Sequence, residues 1–196
     1  MKKRTIFNLL LVVLIGLLIW MLISGIREPI AFQQQRQRRE ASVIDKLIKI
    51  RRAQEAYRGI TGEFAKNFDT LKQVLTNDSF ALVKVIGDPD DPTNMNAVTY
   101  DTSYKLAIDS IASMGLNLDS LPFVPYTNKV IFDITADTLT YQKTKVNVVE
   151  VGIRRKVFMG PWGSERFKKY DHAYDPNKPI KFGDLNKPIL SGNWEN

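Results

Sequence analysis

Three carboxylates in a short acidic segment form the group of residues most suggestive of metal chemistry. Asp88, Asp90 and Asp91 alternate with prolines, and clustered carboxylates suit a hard cation such as Ca²⁺. An EF-hand loop that began at Asp88 would need Gly at its sixth position and Glu at its twelfth. Those positions hold Thr93 and Thr99. The pattern fails, so we favour a solvated Pro–Asp turn and keep a looser calcium loop as the alternative.

The single histidine is the other candidate for chemistry. His172 stands in the sequence Tyr-Asp-His-Ala-Tyr-Asp, and a general base needs a pocket and a positioned partner. No G-x-S-x-G, H-E-x-x-H or P-loop motif accompanies it. We interpret His172 as a surface or packing residue. The sequence therefore predicts no catalytic residue and a non-enzymatic protein.

Composition narrows the remaining chemistry. The 196 residues include no Cys and one His, which excludes disulfides, thiolate zinc sites, iron–sulfur clusters and multi-His metal sites. With 44% hydrophobic and 25% charged residues, the chain has the composition of a folded protein. We predict no cofactor.

The net charge of +7 raises the question of nucleic-acid binding. Residues 1–60 hold 12 Lys and Arg against 4 Asp and Glu, whereas residues 61–196 hold 16 against 17. A nucleic-acid binder carries its positive charge on the folded face that meets phosphate. Here the excess flanks an apolar segment, which is typical of membrane topology. We predict no nucleic-acid partner.

Residues 6–26 read as a transmembrane helix that follows a basic tail at 1–5. The segment is almost uninterruptedly apolar, and 21 helical residues span roughly 31 Å, about one hydrocarbon core. A cleaved signal peptide is the alternative, but its apolar region is usually shorter, ~7–15 residues. Ile26 stands where a lipoprotein box would need Cys. We expect an uncleaved signal anchor.

Charge asymmetry predicts the orientation of this anchor. The three N-terminal basic residues abut the apolar run, whereas three of the four arginines on the other side lie ten or more residues beyond it. The positive-inside rule then favours a cytoplasmic N-terminus. We expect a single-pass protein of the inner membrane with a periplasmic C-terminal domain.

A helical stalk is expected at 27–60, since Pro29 can occupy a first helical turn. Its second part carries an apolar stripe with a spacing of 3.5 residues, in which Gln54 takes one apolar slot. The stripe packs on the protein's own domain, which we favour because it is short for a coiled coil, or it binds a partner or a second copy. The partner-binding candidates on the stalk are Val43, Leu47, Ile48, Ile50 and Tyr57.

Residues 61–196 are predicted to form an α+β head, with a small antiparallel sheet packed on the helix and a loop-rich part at 160–196. Asp69 is expected to cap a short helix, and 80–86 to form a strand. A meander is expected from 130–134, 139–141 and 146–153, with a Thr-Ala-Asp turn between the first two. Trp162, in Gly-Pro-Trp-Gly, either fills a small core or anchors a partner.

Four segments carry a resemblance to a known group of proteins. Ala-Gln-Glu-Ala-Tyr-Arg-Gly-Ile-Thr-Gly-Glu-Phe at 53–64 and Phe-Asp-Thr-Leu at 68–71 follow the amphipathic helix. Ser-Phe-Ala-Leu-Val-Lys-Val-Ile-Gly-Asp at 79–88 and Asp-Ser-Leu-Pro-Phe-Val-Pro at 119–125 come later. Over most of its length the chain resembles uncharacterised single-pass envelope proteins of the Bacteroidota, which implies a location rather than an activity.

The layout also resembles that of pilins and pseudopilins, in which a long helix leads to a small sheet. Thr-Ile-Phe-Asn-Leu at 5–9 stands in place of the prepilin cleavage motif of that family. Pilus assembly-platform proteins, with a membrane helix, a stalk and a ferredoxin-like head, resemble it equally. The first hypothesis is protein–protein assembly in a secretion or pilus-type machine. The alternatives are a pseudopilin-like filament subunit and a membrane-tethered enzyme or ligand-binding module.

Overall fold

A computed structural model describes residues 2–86 and 99–195, and it confirms the α+β class. It consists of one long helix and two small antiparallel sheets. The elements in chain order, with η for a 3₁₀ helix, are α1 (Lys2–Thr61), α2 (Phe68–Asn77), β1 (Ser79–Ile86), β2 (Thr99–Leu106), α3 (Ala107–Ser113), β3 (Asp133–Tyr141), β4 (Thr144–Arg154), α4 (Arg155–Met159), η1 (Gly160–Trp162), η2 (Glu165–Lys169) and β5 (Pro179–Gly183).

The 60 residues of α1 form one helix that continues through Pro29. Its N-terminal half projects from the rest of the chain. The large apolar side chains at 6–26 are exposed by 42% at Ile23 to 71% at Trp20. This helix is long and apolar enough to cross a membrane. At its other end, Gly62 adopts a positive φ of 81° and donates its N–H to the carbonyl of Arg58 at 2.8 Å, which closes the last turn.

The second half of α1 is the spine of the hydrophobic core. Val43, Leu47 and Ile50 are completely buried. Gln54, in the polar slot of this stripe, is equally buried. Its side-chain amide donates to the carbonyl of Ala65 at 3.1 Å and accepts from the N–H of the same residue at 2.9 Å. The glutamine thereby satisfies a loop backbone that the core would otherwise leave unpaired.

The main sheet has the order β3-β4-β5, with both pairs antiparallel. The predicted Thr-Ala-Asp turn is wrong, because residues 135–137 lie in the middle of β3. The chain turns instead at Gln142 and Lys143, which both have positive φ values of 46° and 69°, as in a two-residue hairpin. The third strand comes from the part expected to be loop-rich. Gly183 lets it approach β4, because a Cβ there would lie 1.9 Å from the carbonyl oxygen of Val149.

The start of α2 also differs from expectation. Asn67 is the N-cap, and its side-chain oxygen accepts the N–H of Thr70 at 2.7 Å. Asp69 lies in the first turn of the helix, where its charge faces the positive end of the helix dipole. The cap prediction was therefore two residues late, because Asn and Asp serve almost equally well in this role.

Five rings bind the C-terminal part of the chain to α1. We call Phe32, Trp162, Phe167, Tyr170 and Tyr174 the aromatic cluster. The ring of Phe32 stacks on that of Phe167 with centroids 4.9 Å apart and meets Tyr174 edge-on at 5.0 Å. Phe32 and Phe167 are completely buried. Residues 160–174 are thus fixed to the first turns of the helix beyond its apolar segment.

Ion pairs border this cluster. Arg36 binds Asp171, and Glu40 accepts from Arg155 at 2.7 Å and from Arg36 at 3.2 Å. Burial raises the pKa of Asp171, but the N–H of Ala173 and the Arg36 guanidinium outweigh it and lower that pKa below its usual value. The network therefore favours the charged form of the Asp171 carboxyl.

Candidate functional site

The most exposed apolar surface of the head is a two-stranded ribbon formed by β1 and β2. Ser79 pairs with Leu106 at its base and Ile86 with Thr99 at its tip. All of β2 and six of the eight residues of β1 are exposed. Among the described residues, the two strands pair only with each other. Within 2–86 and 99–195 no further strand covers the outer edges of this ribbon, so their backbone groups can extend the sheet.

The two faces of the ribbon differ in charge. Residues paired directly across an antiparallel sheet share a face, so the register sorts them without ambiguity. One face holds the two pairs that contain charged residues, Phe80–Lys105 and Lys84–Asp101. The other face, which we call the uncharged face, consists of Ser79, Ala81, Val83, Val85, Tyr100, Thr102, Tyr104 and Leu106.

Large side chains on the uncharged face lie open to solvent. Tyr104 is 76% exposed, Tyr100 65% and Val83 56%. An isolated two-stranded hairpin is at best marginally stable in water, and large aromatic and β-branched residues contribute most when another surface covers them. The uncharged face therefore has the composition of an interaction surface.

Packing at its base positions the ribbon at the far end of α1. The ring of Phe80 lies against Gly59, where a Cβ would be 3.4 Å from that ring. The N–H of Ala107 donates to the carbonyl of Asp78 at 3.0 Å, and Ala107 and Ile111 of α3 are buried. Gly59 lies 33 residues beyond Ile26 along α1, so the base of the ribbon stands about 50 Å from the apolar segment.

Most stalk residues proposed as partner-binding lie inside the protein's own core. Val43, Leu47 and Ile50 have no exposed area, and Tyr57 is 9% exposed. They contact the head, as the own-domain alternative predicted, so in this structure they offer no surface to a partner. Ile48 is half-buried and is the stalk candidate that keeps an accessible side chain.

Trp162 also packs within the head. It is partly buried against the core, and its ring centroid lies 5.1 Å from that of Phe167. Its carbonyl accepts the hydroxyl of Tyr174 at 3.0 Å. Burial, together with the negative charge of Glu40, raises the pKa of that tyrosine to about 12. Trp162 thus fills the small core rather than projecting as an anchor.

Of the candidates for metal or catalytic chemistry, the structure describes His172. Asp88, Asp90 and Asp91 lie outside the described residues. His172 is exposed. Within 2–86 and 99–195, no group of three or more His, Cys, Asp or Glu residues could hold a metal ion.

One cavity of about 360 Å³ opens between α2 and the start of β3. Its walls include Phe68, Phe123 and Ile134, and its rim carries Lys72 and Asp119, whose charged groups lie 2.6 Å apart. The hydrogen bond and charge of Asp119 raise the pKa of Lys72. The cavity is therefore a small apolar hollow, and the ion pair gives it a polar edge. It is suited to holding a side chain or a small apolar group.

A sequence pattern at residues 100–106 indicates the uncharged face. Tyr100, Thr102, Tyr104 and Leu106 alternate with Asp101, Ser103 and Lys105, which is the period-2 pattern of a strand with unlike faces.

Comparison with known proteins adds no relative: no family model, curated protein or solved structure matches this chain.

Proposed function

We propose that the protein is a non-enzymatic, single-pass protein of the inner membrane that takes part in an envelope assembly of the secretion or pilus type. In this proposal residues 6–26 span the bilayer, the N-terminus is cytoplasmic and the head is periplasmic. The head binds another envelope protein through the ribbon. The exposed apolar segment of α1 and the charge asymmetry of the sequence support the anchor and its direction.

The uncharged face of the ribbon is the observation that carries the proposal. Val83, Tyr100 and Tyr104 are each more than half exposed, and exposed apolar patches of this kind mark interaction sites. The outer edges of β1 and β2, which no other described strand covers, add main-chain donors and acceptors, which strand addition uses for affinity. The base of the ribbon lies about 50 Å along α1 from the anchor, which favours a protein rather than the lipid of that bilayer as its partner.

A pseudopilin-like filament subunit is the second candidate. It is favoured by the continuous 60-residue helix, whose apolar half projects from the head and could pack against copies of itself. In that case residues 6–26 form the filament contact as well as the anchor. The absence of the prepilin cleavage motif at 5–9 weighs against it.

Photo-crosslinking in native cells tests the proposal. A photoreactive amino acid replaces Tyr104 on the uncharged face, and a matched variant carries it at Ser103, the preceding residue, on the opposite face. One discrete heavier band from position 104, with little from 103, supports binding of another protein. A ladder in multiples of 22.4 kDa supports the filament subunit and contradicts the assembly role. Equal or absent adducts at both positions contradict binding through the uncharged face.

A further inference from the structure

The structure places η2 next to the point where α1 leaves its apolar segment. Glu28 is two residues beyond Ile26, a rise of about 3 Å. Its carboxylate accepts the hydroxyl of Tyr170 and lies 3.4 Å from the guanidinium of Arg166 and 3.9 Å from the ammonium of Lys169. Since the headgroup layer on each side of a bilayer is about 5–8 Å thick, these groups lie at headgroup depth if 6–26 spans the membrane.

The aromatic cluster keeps η2 at this depth. Phe167, in the centre of η2, is completely buried and stacks on Phe32 with an interplanar angle of 3°. Phe32 is six residues beyond Ile26, about 9 Å along the helix and just outside the headgroup layer. The charged side chains of η2 therefore reach back towards that layer, as those of Arg166 and Lys169 do to Glu28. The 3₁₀ turn is therefore held by a buried ring pair, and its charged side chains are carried at a fixed height.

Basic side chains outnumber acidic ones on the surface formed by η2 and the adjoining part of α1. Arg166, Lys168 and Lys169 have side chains exposed by 64%, 43% and 58%, and Arg27, the residue before Glu28 on α1, is exposed as well. Against these four cations stand Glu28 and Glu165 on the same segments, and Asp175 lies 3.9 Å from Lys168. The three acids leave one net positive charge, and the exposed side chains of the cations can contact phosphate groups.

We propose that this surface, formed by Arg27, Arg166, Lys168 and Lys169, docks the head onto the anionic lipid headgroups of the leaflet that α1 leaves. The occupant is a lipid surface because the membrane anchor itself brings phosphates to these side chains, and Lys and Arg close to an anionic leaflet are attracted to it. Docking would fix the tilt of α1 and hence the direction in which the ribbon points. The inference rests on the proposed membrane anchor.

Headgroup quenching in nanodiscs tests this docking on the full chain. Ser164 precedes η2 and is exposed. Because the chain has no Cys, Ser164→Cys accepts a single bimane label. The quencher is phosphatidylcholine with a nitroxide on its headgroup. Nanodiscs contain phosphatidylcholine alone or equal parts of phosphatidylcholine and phosphatidylglycerol.

Two variants separate the surface from charge in general. The docking variant carries R166Q, K168Q and K169Q. The matched variant carries K66Q, K143Q and K145Q, which removes three exposed lysines near the far end of α1. Each basic residue near an anionic surface shifts the equilibrium about fivefold, so the docking variant should lower the docked-to-undocked ratio about a hundredfold.

The expected result is stronger quenching with phosphatidylglycerol for the wild type and the matched variant, and loss of that increase in the docking variant. High salt should abolish the increase in the wild type without any substitution, because it shortens the range of the attraction. Equal quenching in both lipids, or an increase that survives in the docking variant, overturns the docking. Failure of the chain to enter nanodiscs at all would overturn the membrane anchor as well.

Discussion

Removal of the Phe32 ring should destabilise the head more than removal of any exposed ring. Phe32 is completely buried, and burial of such a side chain contributes about 1.5–3 kcal/mol. Its close contacts with the rings of Phe167 and Tyr174 add about 0.5–1.5 kcal/mol each. Phe32→Ala should therefore lower the free energy of unfolding by about 3–5 kcal/mol, the range found for large cavities. A domain is stable by only about 5–15 kcal/mol in total.

Urea unfolding of the full chain in detergent micelles, followed by near-ultraviolet circular dichroism, measures this loss. Tyr100→Ala is the matched control, because Tyr100 is 65% exposed and should cost less than about 1 kcal/mol. Amide hydrogen exchange should also rise across residues 160–174 in Phe32→Ala. Equal stability of the two variants would refute the aromatic cluster as the link between η2 and α1.

Three further substitutions test other parts of the structure. Gln54→Ala should lower the free energy of unfolding by about 1–3 kcal/mol, since both backbone groups of Ala65 lose their partner; urea titration that finds no loss would refute this pairing. Gly183→Ala should yield little folded protein on gel filtration, because its Cβ would overlap a β4 carbonyl and its φ is 77°; a well-folded variant would contradict the β4–β5 register. The pKa of Asp171 is lowered from 3.8, so its contribution to stability is present above pH 3.8 and disappears as the pH falls through the lower, folded value. Acid titration should show this loss in the wild type and not in Asp171→Asn.

Local patterns in the sequence were sufficient for the helix and the fold class. The apolar run at 6–26 and the stripe from Val43 to Tyr57 both follow from residue type and spacing. These signals involve neighbours along the chain. They predict elements without any knowledge of what the elements pack on.

The errors in the sheet have a different physical origin. Thr135, Ala136 and Asp137 have turn-forming character, but pairing with β4 holds them in an extended conformation, so tertiary contacts outweigh local preference. β5 contains Pro179 and Gly183, which favour a loop when read alone. Its status as a strand depends on β4, more than twenty residues earlier in the chain.

The sequence did not identify the uncharged face as a candidate site, because an apolar strand pattern is usually interpreted as a buried strand. Residues 80–86 were predicted as a strand from their apolar and β-branched character, and β1 occupies that position. Exposure, however, depends on what covers the strand, and β2 covers only one edge. The pairing of Val83 with Thr102 and of Val85 with Tyr100 was needed to assemble one face without charge.

The mass of the native complex tests the partner-binding role of the ribbon most directly. The double variant V83D/Y104D places two charges on the uncharged face, where both native side chains are exposed and folding should tolerate them. L82D/S103D places the same charges on the opposite face as the matched control. Gentle extraction and native mass measurement should show a complex for the wild type and the control, and the lone chain of 22.4 kDa for V83D/Y104D. The same complex in all three would contradict the account.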